Sequence, residues 1–191
     1  MGENDPNTRE CGECLARMYV DEGLYYEAIP LLEKQLEFRT NVLGPYNVDT
    51  LDAMHELATA HYLSRDEEDA IPLFSKCYEM RLKQLGSNHK DTLASMHGLG
   101  NSKVKIGEID EGILLLEESL KKRKLIFELE PKNPDVLSAI ENLVVIYLRL
   151  ERYDNARPLL QECIERNHVV EFAQEFLTKC DGDSRYSKEA V

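Results

Sequence analysis

The residues best suited to chemistry are two thiols near the start of the chain, Cys11-Gly12-Glu13-Cys14, spaced as in redox and metal sites. A helix N-terminus can lower a thiol pKa and would lend the pair some reactivity. No strand–helix–strand context and no second cysteine pair accompanies it, so the expectation is two thiols three positions apart on one helix. His55 and His97 form a row with Glu13 and Glu141 at one position of a recurring pattern. A zinc site needs three or four ligands, each about 2 Å from one point. Helices stacked about 10 Å apart hold such a row open, so it reads as polar groove lining with no metal. Cys77 and Cys163 also share a column, one of packing residues.

Lys121-Lys122-Arg123-Lys124 has the form of a nuclear signal. Arg123, however, follows Arg39 and Arg81 at intervals of 42, so it belongs to the repeat, and the run is expected on the exposed face of a long helix. No phosphate-binding glycine loop, G-x-S-x-G or H-E-x-x-H occurs, and no nucleophile–base pair stands out. The expectation is therefore a chain that is not an enzyme and uses no cofactor.

The formal net charge of −13 argues against nucleic acid as a partner and suits a basic protein segment. The 42% hydrophobic and 31% charged content is that of a folded domain. No apolar stretch is long enough to cross a bilayer, and no membrane partner is expected. Five cysteines, an odd number without an export signal, point to reduced thiols and a cytoplasmic location.

The elements that position these residues follow from a repeat. Asp49-Thr50-Leu51 recurs as Asp91-Thr92-Leu93 after 42 residues and as Asp135-Val136-Leu137 after a further 44, while Asn7-Thr8-Arg9 opens a first copy. One column reads Leu15, Leu57, Leu99, Leu143, followed by Ala16, Ala58, Gly100, Val144. Others read Tyr19, His61, Lys103, Tyr147; Ala28, Ala70, Gly112, Ala156; and Leu32, Phe74, Leu116, Leu160. Small columns let two helix backbones approach, and large ones fill the space between. Asp49, Asp91 and Asp135 are placed to cap first helices, and Gly23 and Gly107 to end them.

The expected architecture is all-α: a single domain over 1–180, built as a right-handed solenoid of four helical hairpins. The repeats cover about 8–48, 49–90, 91–134 and 135–168. Val169, Phe172, Ala173, Phe176 and Leu177 have helical spacing and predict a capping helix at about 169–179. A mobile tail is expected over 181–191.

The columns resemble the tetratricopeptide repeat, and the 42-residue period resembles its kinesin-light-chain branch. The motifs Ala28-Ile29-Pro30-Leu31, Ala70-Ile71-Pro72-Leu73 and Ala156-Arg157-Pro158-Leu159 carry that likeness, with the linkers Leu43-Gly44-Pro45 and Leu85-Gly86-Ser87. The resemblance implies that the first helix of each pair lines a concave groove that takes a protein or peptide segment. By column, that groove holds Glu10, Glu13, Arg17, Asp52, His55, Glu56, Thr59, His97, Asn101, Lys105, Glu141, Asn142 and Arg149. Repeats of this branch typically carry paired asparagines before the column leucine. Here those places hold Glu13-Cys14, His55-Glu56, His97-Gly98 and Glu141-Asn142, and only Asn142 fits. The implied function is a non-catalytic interaction scaffold, and the acidic residues Glu10, Glu13, Asp52 and Glu56 lead to the expectation of a basic ligand. Self-association through the array ends is the alternative, with a kinesin-light-chain-like cargo adaptor behind it.

Overall fold

The computed structural model describes residues 6–130 and 132–166, with side chains from Glu10 onward. Those residues form eight helices: α1 Pro6–Asp21, α2 Tyr25–Leu43, α3 Val48–Ser64, α4 Glu67–Leu85, α5 Lys90–Lys105, α6 Ile109–Ile126, α7 Pro134–Arg149 and α8 Tyr153–Glu165. The capping helix expected at 169–179 and the tail at 181–191 lie outside the described residues. The chain divides after Leu115 into two compact units.

In the first unit each helix from α1 to α5 packs on the next. The small and large columns do what their sizes suggest. Ala16, Ala28, Leu32, Leu57 and Ala60 make one buried cluster, and Ala58, Ala70, Phe74 and Leu99 make the next. Cys77 sits in a third with Leu51, Met54 and Met80, wholly buried as a packing residue. Leu57 and Leu99 are buried, whereas Leu15 of the same column is 39% exposed. Among the described residues no helix precedes α1 to cover it. In the second unit α7 packs on α8, burying Val136, Ile140, Leu143 and Tyr147 with Ala156, Leu160 and Cys163.

The helix ends follow one plan. Gly23 and Gly107 have φ of 74° and 93°, as a left-handed stop requires, and Arg65 and Glu151 adopt the same conformation at the equivalent places. Around each, the backbone closes a Schellman turn. Leu24 N–H donates to Tyr19 O, Asp66 to His61 O, Glu108 to Lys103 O and Arg152 to Tyr147 O. The column Tyr19, His61, Lys103, Tyr147 is thus fixed at the last turn of every first helix.

The helix starts differ from expectation. Asp49, Asp91 and Asp135 do not cap their helices with their carboxylates. The caps stand two residues earlier: Asn47, His89 and Asn133 each accept from the backbone N–H of the following aspartate. The acid lies in the first turn instead, where the helix dipole favours its charge.

The basic run also needs correcting. Arg123 is 8% exposed and lies 3.7 Å from the Asp135 carboxylate, so the run is not one exposed face. Lys122 pairs with Glu118, and Lys124 with Glu162. The arginine column ties a second helix to the start of the next first helix: Arg39 donates to Asp49 O and Arg81 to Asp91 O, both at 3.0 Å.

One column carries an uncompensated polar atom. Thr50 and Thr92 are fully buried and their hydroxyls have no hydrogen-bond partner, while the fourth repeat places Val136 there. Thr92→Val is expected to raise stability by about 1 kcal/mol, because an isosteric methyl removes an unsatisfied buried hydroxyl. Urea denaturation of the variant checks it.

Candidate functional site

The expected groove residues fall into distinct environments. On α1, Glu10 and Arg17 are exposed, and Glu13 is half-buried with its carboxylate 3.5 Å from Arg39. Glu10 and Glu13 share the wall of a cavity of about 610 Å³ with Phe38, Arg39, Val42 and Leu43 of α2 and Asp49 of α3. Three carboxylates thus stand beside three large apolar side chains and one arginine.

On α3, the expected free acid and base are already engaged. Asp52 forms an ion pair with the buried guanidinium of Arg81, which also donates to Ser95 Oγ at 2.9 Å. The cation needs these partners because an unpaired buried charge is costly. Thr59 Oγ donates back to His55 O at 2.8 Å, a local bond that occupies the hydroxyl. Glu56 remains exposed.

His55 is not a loose groove ligand. Its ring meets Phe74 edge-on with centroids 5.3 Å apart, and its Nδ1 lies 3.5 Å from Ser95 Oγ. Burial, and then the nearby Arg81, hold its pKa down at about 4, against a smaller opposing pull from Asp91. The imidazole is therefore neutral at pH 7. Because the folded pKa lies below the unfolded value of about 6.5, the unfolded chain takes up the proton first as pH falls. Stability is expected to be full above pH 6.5 and to decline toward pH 4. Between pH 7 and 5.5 the His55 share is about 1 kcal/mol. Denaturation curves at both values should show a larger loss in the parent than in His55→Gln.

On α5, His97 and Asn101 are half-buried. Lys105 donates to Tyr62 O at 2.7 Å, pairs with Glu67 at 2.8 Å and lies 3.9 Å over the Tyr62 ring. The hydrogen bond from Lys105 holds the Glu67 carboxyl below its usual range. Gly98 has a specific reason to be glycine, since a Cβ there would stand 2.4 Å from the Phe74 ring. In the second unit, Glu141 and Asn142 are half-buried on α7 and Arg149 is exposed near its end.

The cysteines separate cleanly. Cys11 and Cys14 are exposed free thiols on α1. Burial pushes the Cys77 thiol up, and pushes Cys163 up to about 11 with help from Glu141 and Glu162. Both buried thiols are poor nucleophiles at neutral pH.

Sequence reasoning missed Phe38, Val42 and Leu43 as cavity walls because it took groove residues from first helices alone, and it missed Asp49 because it gave that residue a capping role. It also missed the Arg81 network. The period of 42 shared by Arg39, Arg81 and Arg123 was the available signal, since a charge kept in register with buried columns implies a structural contact.

Comparison with known proteins agrees with this architecture. Two models described as tetratricopeptide repeat match residues 8–83 and 136–170. No curated protein matches the sequence significantly. Among solved structures, a Podosopora anserina protein described as a kinesin light chain with nearly identical TPR-like repeats superposes with a TM-score of 0.73. It is 22% identical and covers 98% of this chain and 100% of its own. A variant of that protein gives 0.72 at 23% identity, over 95% of each chain. BtubC (BKLC) from P. vanneervenii gives 0.69 at 16% identity, covering 100% of this chain and 72% of its own. The likeness to these structures is one of fold, whereas the repeat models cover more than half of the chain; helical hairpins with these columns build protein-interaction scaffolds, and the chain is a member of the tetratricopeptide-repeat family.

Proposed function

We propose that the chain is a non-catalytic scaffold that takes a basic, partly apolar protein segment at the cavity between α1, α2 and α3. The supporting observation is the lining of that cavity: Glu10, Glu13 and Asp49 beside Phe38, Val42 and Leu43. A lysine or arginine has an aliphatic stem for the apolar wall and a cationic head for the carboxylates. Such charges mainly steer encounter and select the partner, while the apolar contact supplies residence. Glu56 and Arg17 extend the same first-helix surface, whereas Asp52, His55 and Thr59 serve the fold that holds it. Glu141, Asn142 and Arg149 are proposed as contacts of the second unit in its own right. A peptide array graded in Lys/Arg content tests the reading. Binding should rise with basic residues flanked by aliphatic ones, and indifference to them would overturn it.

One observation favours self-association as a second reading. Cys11, Cys14, Leu15 and Met18 fall at helical spacing on α1 and all are exposed, Met18 by 61%. Sedimentation at several concentrations should show dimers that Met18→Glu abolishes. A concentration-independent monomer would rule that reading out.

A further inference from the structure

The last turn of the first helix in repeats two and three carries the same three-residue arrangement with one element changed. In the third repeat Lys103 extends its ammonium to Glu108 at 2.6 Å and to Glu111 at 3.0 Å, so two carboxylates converge on a cation. Subtracting the period of 42 gives His61, Asp66 and Asp69. The carboxylates are retained there, and an imidazole nitrogen stands where the ammonium stem would pass.

That nitrogen is poorly served by the protein alone. His61 is 6% exposed, and its Nδ1 is buried without a hydrogen-bond partner. It faces the Asp66 carboxylate at 3.4 Å, beyond the usual N–H···O range of about 2.7–3.2 Å. Asp66 occupies the N-cap of α4 yet makes no side-chain capping bond. Its carboxylate is turned to the histidine instead. One ring nitrogen of His61 and one carboxylate oxygen each from Asp66 and Asp69 all lie within 4.8 Å of one another.

We propose that this turn binds a divalent transition-metal ion of the zinc class, through His61 Nδ1 and the carboxylates of Asp66 and Asp69. Two ligands each about 2.05 Å from a tetrahedral ion are about 3.4 Å apart, which is the separation found between Nδ1 and Asp66. Asp69 is exposed, so water completes the coordination on that side. A nitrogen ligand and only three protein groups favour zinc-class ions over calcium or magnesium, which seek more oxygen ligands. The ion supplies the charge that Lys103 supplies in the next repeat, and it pins the end of α3 to the start of α4. This inference does not depend on the cavity between α1 and α3.

Titration calorimetry of the metal-stripped full chain with zinc chloride tests it, with thermal unfolding followed in parallel. The expected result is saturable binding of one zinc ion at this turn and a higher Tm, with no response to magnesium. Asp69→Asn, an exposed change that leaves the core intact, should weaken that binding by at least about tenfold. Cys11→Ser/Cys14→Ser should leave it unchanged. Cobalt substitution should give a tetrahedral visible spectrum without a thiolate charge-transfer band. An absence of zinc binding, binding that Asp69→Asn does not weaken, or a thiolate band on the cobalt form would each overturn the proposal.

Discussion

Gly112→Ala is expected to destabilise the first unit by about 3 kcal/mol. A Cβ at Gly112 would stand 2.6 Å from Gly100 O, 2.7 Å from a Val104 methyl and 2.8 Å from Val104 N. Two of those three atoms belong to the α5 backbone, which no rotamer change can move. The other hairpins use Ala28, Ala70 and Ala156 in this place, opposite Ala16, Ala58 and Val144. Only the third combines Gly100 with Gly112, and the backbone there leaves no room for a Cβ at Gly112. Helix propensity works in the opposite direction, since alanine is favoured over glycine by about 1 kcal/mol. Gly12→Ala isolates that term, because nothing lies within 4 Å of its added methyl. Urea midpoints should therefore move in opposite directions, down for Gly112→Ala and up for Gly12→Ala.

Gly98→Ala is expected to cost about 2 kcal/mol, and Phe74→Leu should rescue it. The added methyl would meet three ring atoms of Phe74 at 2.4–2.8 Å. The ring is 2% exposed and holds His55 on its edge, so it has little room to turn. Elsewhere in this column stand Leu32 and Leu116, paired by register with Glu56 and Asn142 rather than with glycine. Phenylalanine and glycine therefore form a size-matched pair. In the Phe74→Leu background the methyl should be neutral or mildly stabilising, a coupling of about 2 kcal/mol in a double-mutant cycle. Simple additivity would show that the ring and the glycine are independent. The Phe74 ring fills the volume that any larger side chain at Gly98 would need.

Much of the fold was legible in the sequence, because a period written in buried columns leaves few alternatives. Ala28, Ala70 and Ala156 had to be contact points between helices, and each is fully buried. The glycine stops at Gly23 and Gly107 were legible, whereas Arg65 and Glu151 were not, since nothing in their chemistry announces a positive φ. The caps were misplaced by two residues because aspartate favours both the cap and the first turn. Asn47, His89 and Asn133 form the column that could have decided between them.

The candidate site was less legible for a physical reason. Helical register places a residue on a face without revealing which side chains on that face are already spoken for. Asp52 looked like a free groove acid, and Arg81, 29 positions away, engages it. His55 looked like a polar ligand, and burial, then the Arg81 charge, make it a neutral residue packed against the Phe74 ring. The carboxylates that remain at the cavity, Glu10, Glu13 and Asp49, come from two helices, and a third supplies the apolar wall.

The most direct test of the acidic cavity is calorimetric binding of the best basic peptide from the array to two variants of equal charge loss. One removes the cavity acids, Glu10→Gln/Glu13→Gln/Asp49→Asn, and the other removes exposed acids elsewhere, Glu22→Gln/Glu27→Gln/Glu79→Gln. The account predicts that the first loses affinity by at least about tenfold while the second stays within about twofold of the parent. Equal weakening in both would mean that net charge alone attracts the peptide, and unchanged binding in the first would place the ligand elsewhere; either result contradicts the proposed site.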